Sequence, residues 1–171
     1  MPEMTRTWVI PASPKLPEIK FDIREPPLTG DNLGLKTWGT SFVIAKNLES
    51  LGMQHLEHLF TALSVSTTGA SKRSLLPGTK VLELGAGTGL VGIAAGAVWC
   101  ADVFLTDLRD IVDNLLFNVD KNTPTVEELG GRIVGGVLDW REPDKALGIM
   151  PGKKFDVSSF ERLHGILADN W

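Results

Sequence analysis

Lys80-Val81-Leu82-Glu83-Leu84-Gly85-Ala86-Gly87-Thr88-Gly89-Leu90-Val91-Gly92 is the stretch that decides the fold of this 171-residue chain. Lys80 to Leu84 reads as a buried strand, and Gly85 stops it. Glycines at 85, 87 and 89 let the backbone turn sharply and let a ligand approach without a Cβ in the way. The apolar run that follows, through Val98, reads as a helix whose first amides lie exposed at the turn. Strand, glycine turn and helix in this order open a βαβ unit.

The rhythm continues toward the C-terminus. Asp102 to Thr106 is a second strand ending at Asp107, and a helix is expected from Arg109 to Asn122 with Ile111, Leu115 and Val119 in one stripe. Arg132 to Leu138 is a third strand, and Phe155-Asp156-Val157 starts a fourth. Alternating strands and helices imply a parallel sheet with right-handed crossovers, the doubly wound α/β class. Such sheets bind ligands beyond the carboxyl ends of their strands. Gly85 to Gly89, Asp107 and the pair Asp139-Trp140 all fall at those ends, so one site is expected there.

The other direction is less regular. Residues 1–36 are proline-rich and expected to be extended, with Ile19, Phe21 and Ile23 alternating as a short strand with one buried face. Thr40 or Ser41 is expected to cap a helix from Phe42 to Leu51, with Ile44, Leu48 and Leu51 on one side. A second amphipathic stretch runs from Gln54 to Val65, and Ser66 to Pro77 reads as a polar loop. The domain reading is therefore an extended segment over 1–36 and one Rossmann-like domain over 37–171.

Composition narrows the function. A formal net charge of -4 argues against direct nucleic-acid binding, which needs a basic face. The lone cysteine, Cys100, cannot form an internal disulfide and is expected in the core. A reducing compartment fits, with the cytoplasm as the expected location and the nucleus as the alternative. The longest apolar stretch, Leu90 to Val98, is too short for a membrane span, and the N-terminus lacks the basic and apolar blocks of a signal peptide. His55-Leu56-Glu57-His58 has two histidines at i and i+3. The chain offers only His164 and Cys100 beside them, so no metal site is expected.

Two ligands suit the glycine turn. Gly87-Thr88-Gly89-Leu90-Val91-Gly92 satisfies the dinucleotide fingerprint, and Asp107 lies 20 residues after Gly87, a spacing that suits an NAD ribose. The strand, however, ends at Leu84, so the turn begins two residues before that fingerprint would. Glu83-Leu84-Gly85-Ala86-Gly87-Thr88-Gly89 instead resembles the first motif of class I methyltransferases. Leu33-Gly34-Leu35-Lys36-Thr37-Trp38-Gly39 is similar to the tryptophan–glycine motif of the family 16, seven-strand lysine methyltransferases. Leu105-Thr106-Asp107-Leu108 resembles their second motif, Asn114 to Asn118 their asparagine-containing helix, and Leu138-Asp139-Trp140 their third strand ending. Arg24 to Asn32 is most similar to fungal enzymes that methylate translation elongation factors.

The resemblance implies a Rossmann-like methyltransferase that uses S-adenosylmethionine to methylate lysine on a protein, with a translation elongation factor as the substrate class. Gly85, Gly87 and Gly89 would shape the bed for the methionine part. Glu83 would be tolerated or favoured beside the cationic sulfur, and Asp107 would accept hydrogen bonds from the ribose hydroxyls. Trp140 would pack on the adenine, Asp139 would line that pocket, and Trp38 would close the site from the N-terminal side. Each has a plainer alternative: Trp38 and Trp140 as core residues, Asp107 as a helix cap, Asn118 as structural.

The family pattern breaks after Val157. Members continue that strand into an Asp-x-x-Tyr or similar motif beside the lysine. Here Ser158 to Gly165 intervenes, Ile166-Leu167-Ala168-Asp169 resembles the delayed continuation, and the chain has no tyrosine. The expectation is an insertion over 158–165, as a mis-spliced transcript would produce, with the fold incomplete after strand four. A divergent helical tail is the alternative. Asp169 is the one candidate for the substrate-side motif. A catalytically dead cofactor-binding module and an NAD-dependent oxidoreductase are the rival functions.

Overall fold

Three parallel strands form the centre of the computed structural model, which describes residues 3–27, 33–56, 79–142, 147–150 and 153–154. The elements are β1 (Met4–Ile10), β2 (Ile19–Glu25), α1 (Gly39–Gln54), β3 (Lys80–Leu84), α2 (Leu90–Trp99), β4 (Asp102–Asp107), α3 (Arg109–Glu128), β5 (Arg132–Val137), β6 (Leu147–Met150) and β7 (Lys153–Lys154). The strand order is β3-β4-β5-β6-β7. β3, β4 and β5 run parallel, with Lys80 opposite Asp102 and Asp102 opposite Arg132. This is the α/β, Rossmann-like arrangement read from the glycine stretch. β6 and β7 form an antiparallel addition beyond β5, which the sequence did not announce. The expected fourth strand at 155–157, the stretch 158–171 with His164 and Asp169, His58, and the loop at 66–77 lie outside the described residues, as does most of the 54–65 stretch.

α2 is apolar on every side, and the physical consequence is burial. Leu90 and every residue from Gly92 to Trp99 are buried, between the sheet and α1. α1 begins three residues earlier than expected, and Trp38 occupies its N-cap with no side-chain hydrogen bond. The expected caps, Thr40 and Ser41, are corrected by this start: both lie inside the helix. Its buried face is also rotated. Ala45, Leu48 and Gly52 face inward, while Ile44 is exposed. Small residues win because α1 sits close to α2: a Cβ on Gly52 would lie 2.7 Å from the Trp99 indole nitrogen. That nitrogen donates to the Leu48 carbonyl at 2.8 Å.

α3 shows the expected stripe, with Ile111, Leu115 and Val119 buried. It runs six residues past Asn122, through Pro124. A proline interior to a helix removes one donor, here the partner of the Asp120 carbonyl. Asp120 and Pro124 are both exposed, so water can serve that carbonyl and the helix continues.

The proline-rich segment is more structured than expected. β1 and β2 pair as an antiparallel hairpin, Trp8 opposite Phe21. Phe21 and Ile23 are fully buried, contributing about 1.5–3 kcal/mol each. Asn122 and Asn118 hold the hairpin from α3 by bonding the backbone of Asp22 and Arg24. Cys100 is corrected from a core residue to a half-buried helix terminus. It adopts a left-handed conformation (φ 53°), and its thiol donates to the Leu129 carbonyl at 3.0 Å.

Candidate functional site

The three strands end together, and their ends carry the residues singled out by sequence. After Leu84 the chain turns through Gly85 (φ 68°), Gly87 (φ 59°) and Gly89 (φ 87°), all left-handed, which is where glycine is needed. The turn is bonded to its neighbour strand: the Ala86 amide donates to the Thr106 carbonyl at 2.9 Å. Asp107, at the tip of β4, accepts the Gly87 amide on Oδ2 and the Leu108 amide on Oδ1, each at 2.7 Å. It is therefore a brace on the glycine turn. The N-cap of α3 is Leu108, so the helix-cap alternative for Asp107 falls.

The glycines do different work. Gly85 is exposed, and a Cβ there would meet the Trp140 ring at 3.7 Å. Gly87 faces the segment before α1, where a Cβ would lie 3.1 Å from the Gly34 carbonyl oxygen. Gly89 is buried against Leu115, Ile93 and Leu105, and so serves packing beneath the turn.

Both site tryptophans lie at the surface. Trp38 is 54% and Trp140 68% exposed, which rejects the core alternative for each. At the strand ends Leu84, Gly85 and Leu108 are all exposed, and Asp107 is half-buried. The Trp38 segment is anchored to the turn by a buried contact, Thr37 Oγ1 to Thr88 Oγ1 at 2.9 Å. Sequence reasoning passed over this pair; its signal was a threonine beside Trp38 and another between two glycines.

Glu83 lies under the turn. Its carboxyl packs against the first turn of α2 at Gly92, in space that any Cβ on Gly92 would fill. Gly92 thus matches the third glycine of the dinucleotide fingerprint for a different reason: it houses an acid. Oε2 is buried with no hydrogen-bond partner. Burial pushes the carboxyl up to about 7; the nearby Gly92 amide opposes this and the Asp107 charge reinforces it. Oε2 itself is left without a hydrogen bond. Asp139 is differently placed. Its carboxylate is gripped by Arg141, Nη2 to Oδ2 at 2.6 Å, and that hydrogen bond holds it down to about 2.

These features bear on the chemistry of the turn. A pyrophosphate is held by free backbone amides at a helix N-terminus. Here the Gly87 amide is committed to Asp107 and the Gly89 amide to the Ala86 carbonyl, at 2.7 and 2.8 Å. Two acids, Glu83 and Asp107, border the turn. An α/β domain whose parallel strands end beside a glycine turn braced by a carboxylate is of the Rossmann-like class.

The chain belongs to the lysine methyltransferase family, whose model matches residues 15–157. It is 39% identical over 128 residues to the protein-lysine N-methyltransferase EFM2 of Saccharomyces cerevisiae, an alignment covering 71% of this chain and 27% of that protein. It is 37% identical over 121 residues to the protein-lysine N-methyltransferase rrg1 of Schizosaccharomyces pombe, covering 71% and 33%. The mouse EEF1A lysine methyltransferase 3 is 42% identical over 79 residues, covering 46% of this chain and 32% of that protein. The chain thus spans about a third or less of the length of these relatives. Among the described residues no helix is long and apolar enough to cross a membrane, and no group of metal-ligating side chains comes together.

Proposed function

We propose that this chain binds S-adenosylmethionine at the glycine turn and serves protein-lysine N-methylation. The observation that carries the reading is the Asp107 brace: a carboxylate consumes the turn's donor at 2.7 Å, which favours a ligand offering hydroxyls and positive charge over one offering phosphate. Each carboxylate oxygen keeps a second acceptor position for a ribose hydroxyl. Gly85 and Gly87 border the methionine part, while Gly89 packs the floor. Trp140 covers the adenine and Trp38 closes the opposite side; both have exposed faces to offer. Asp139 acts at the rim through its grip on Arg141.

Glu83, beneath the turn, is a second acid whose charged form a cationic ligand favours. The bound group supplies a methyl on a positively charged sulfur, transferable to a neutral amine. The chain's own contribution is to hold that group, exclude water from it and orient it toward the acceptor.

The relatives' names support a protein acceptor, and the mouse relative's name points to a translation elongation factor as the class. The cytoplasm is the proposed location. Calorimetry with S-adenosylmethionine and with NADH, followed by a radiolabelled-methyl assay on lysate, tests the reading. Saturable binding of the first and label in a protein band are expected. Binding without label makes the chain a cofactor-binding module, and binding of NADH alone overturns the assignment.

A further inference from the structure

We infer that Asn118 is a positioning residue for the glycine turn, coupling the β1–β2 hairpin to the donor site through one side-chain amide. The inference rests on the donor-binding reading above. α3 buries three asparagines four residues apart, Asn114, Asn118 and Asn122. An amide offers one acceptor oxygen and two N–H donors. Asn122 commits its oxygen to the Asp22 amide (3.0 Å) and its nitrogen to the carbonyls of Asp22 (2.9 Å) and Asn118 (2.7 Å). Asn114 accepts the Arg24 Nε–H (2.9 Å) and donates to the Arg24 carbonyl (3.2 Å). Both tie α3 to the hairpin or to itself.

Asn118 does something more. It accepts the Arg24 amide at 2.8 Å, donates to the Arg24 carbonyl at 3.1 Å, and gives its second N–H to the Thr88 carbonyl at 3.0 Å. Thr88 sits between Gly87 and Gly89, and its hydroxyl is held by Thr37. Asn118 is fully buried, so water does not substitute for it. A turn containing three left-handed glycines has many conformations open to it; a fixed donor on its central carbonyl selects one. By linkage, a ligand that orders the turn must also steady the hairpin at Arg24.

The test pairs Asn118→Ala with Asn122→Ala, each removing a buried amide that bonds the hairpin. Amide hydrogen exchange and S-adenosylmethionine affinity are read on both. Asn118→Ala is expected to speed exchange at Gly87 and Gly89 and to weaken binding about ten-fold. Asn122→Ala is expected to loosen Asp22 while leaving the turn and the affinity within about two-fold of wild type. In the wild type, added S-adenosylmethionine should slow exchange at Arg24 more than at Asp22. Equal weakening by both variants, or unchanged exchange at the turn in Asn118→Ala, overturns the inference. Should Asn118→Ala not fold, the milder Asn118→Ser and the wild-type comparison of Arg24 with Asp22 decide. A wild type that binds no S-adenosylmethionine defeats the donor reading alone, since exchange at the turn in the unliganded variants still decides the coupling.

Discussion

Glu83→Gln exchanges a buried acid for a neutral side chain of the same shape, and its effect on stability should depend on pH in a calculable way. The ordinary value of the carboxyl is 4.5, and burial pushes it up to about 7 in the folded protein. The native state therefore holds this proton more tightly than the unfolded chain does. The stabilisation is fully present below 4.5 and is lost as the pH rises through about 7. At about 1.4 kcal/mol for each pH unit between those values, the loss comes to about 3 kcal/mol. Glutamine has no proton to lose. The variant should match wild type near pH 4.5 and exceed it by about 3 kcal/mol above pH 8. Urea melts followed by circular dichroism at several pH values measure this, and taking the difference cancels the titrating groups that do not interact with Glu83. A stability difference that stays constant across the range would refute the argument. So would a variant less stable than wild type at pH 8.

Three further outcomes follow from the same geometry. Asp107→Ala should cost about 2 kcal/mol of S-adenosylmethionine affinity in calorimetry, since the brace and the ribose acceptors vanish together; unchanged affinity removes Asp107 from the site. Trp140→Ala should lower that affinity by about 1 kcal/mol while leaving the urea midpoint nearly unmoved, because the ring is mostly exposed. Gly92→Ala should destabilise the fold by about 1–3 kcal/mol, its methyl meeting the Glu83 carboxyl and Leu105. Adding Glu83→Ala should recover part of that loss, and strict additivity in a double-mutant cycle would contradict the shared-space account.

The elements that were legible in the sequence are those where one local rule dominates. β3, β4 and β5 are apolar runs stopped by glycine or aspartate, and α2 is apolar without interruption, so each boundary fell within a residue or two. The carboxyl-end rule then placed the glycine turn, Asp107 and Trp140 together on topology alone. What stayed hidden depends on partners distant in the chain. The face of α1 kept Leu48 but was misjudged at Ile44, because helix periodicity counts apolarity, whereas contact with α2 rewarded the smallness of Ala45 and Gly52. The end of α3 was misplaced because the helix continues through Pro124, where the carbonyl that loses its partner belongs to the exposed Asp120. Asn122 looked like a terminus; only the position of β2, 100 residues earlier, reveals why an amide is buried there. Glu83 was assigned to the ligand from its motif, and its burial against Gly92 became visible only once α2 was folded back on β3.

The hairpin's attachment has a metric consequence. Successive asparagines on α3 are separated by about 6 Å of helix rise, while alternate residues of β2 are separated by about 6.6 Å. The two repeats are close but incommensurate, so a helix can read a strand's edge for a few steps before drifting out of phase. The next strand residue in step after Asp22 and Arg24 is Pro26, which has no amide to give. Asn114 reaches the Arg24 guanidinium in its place. The seam between helix and hairpin is thus a vernier with two matched marks, and inserting or deleting a single residue between the marks in either element would break the match.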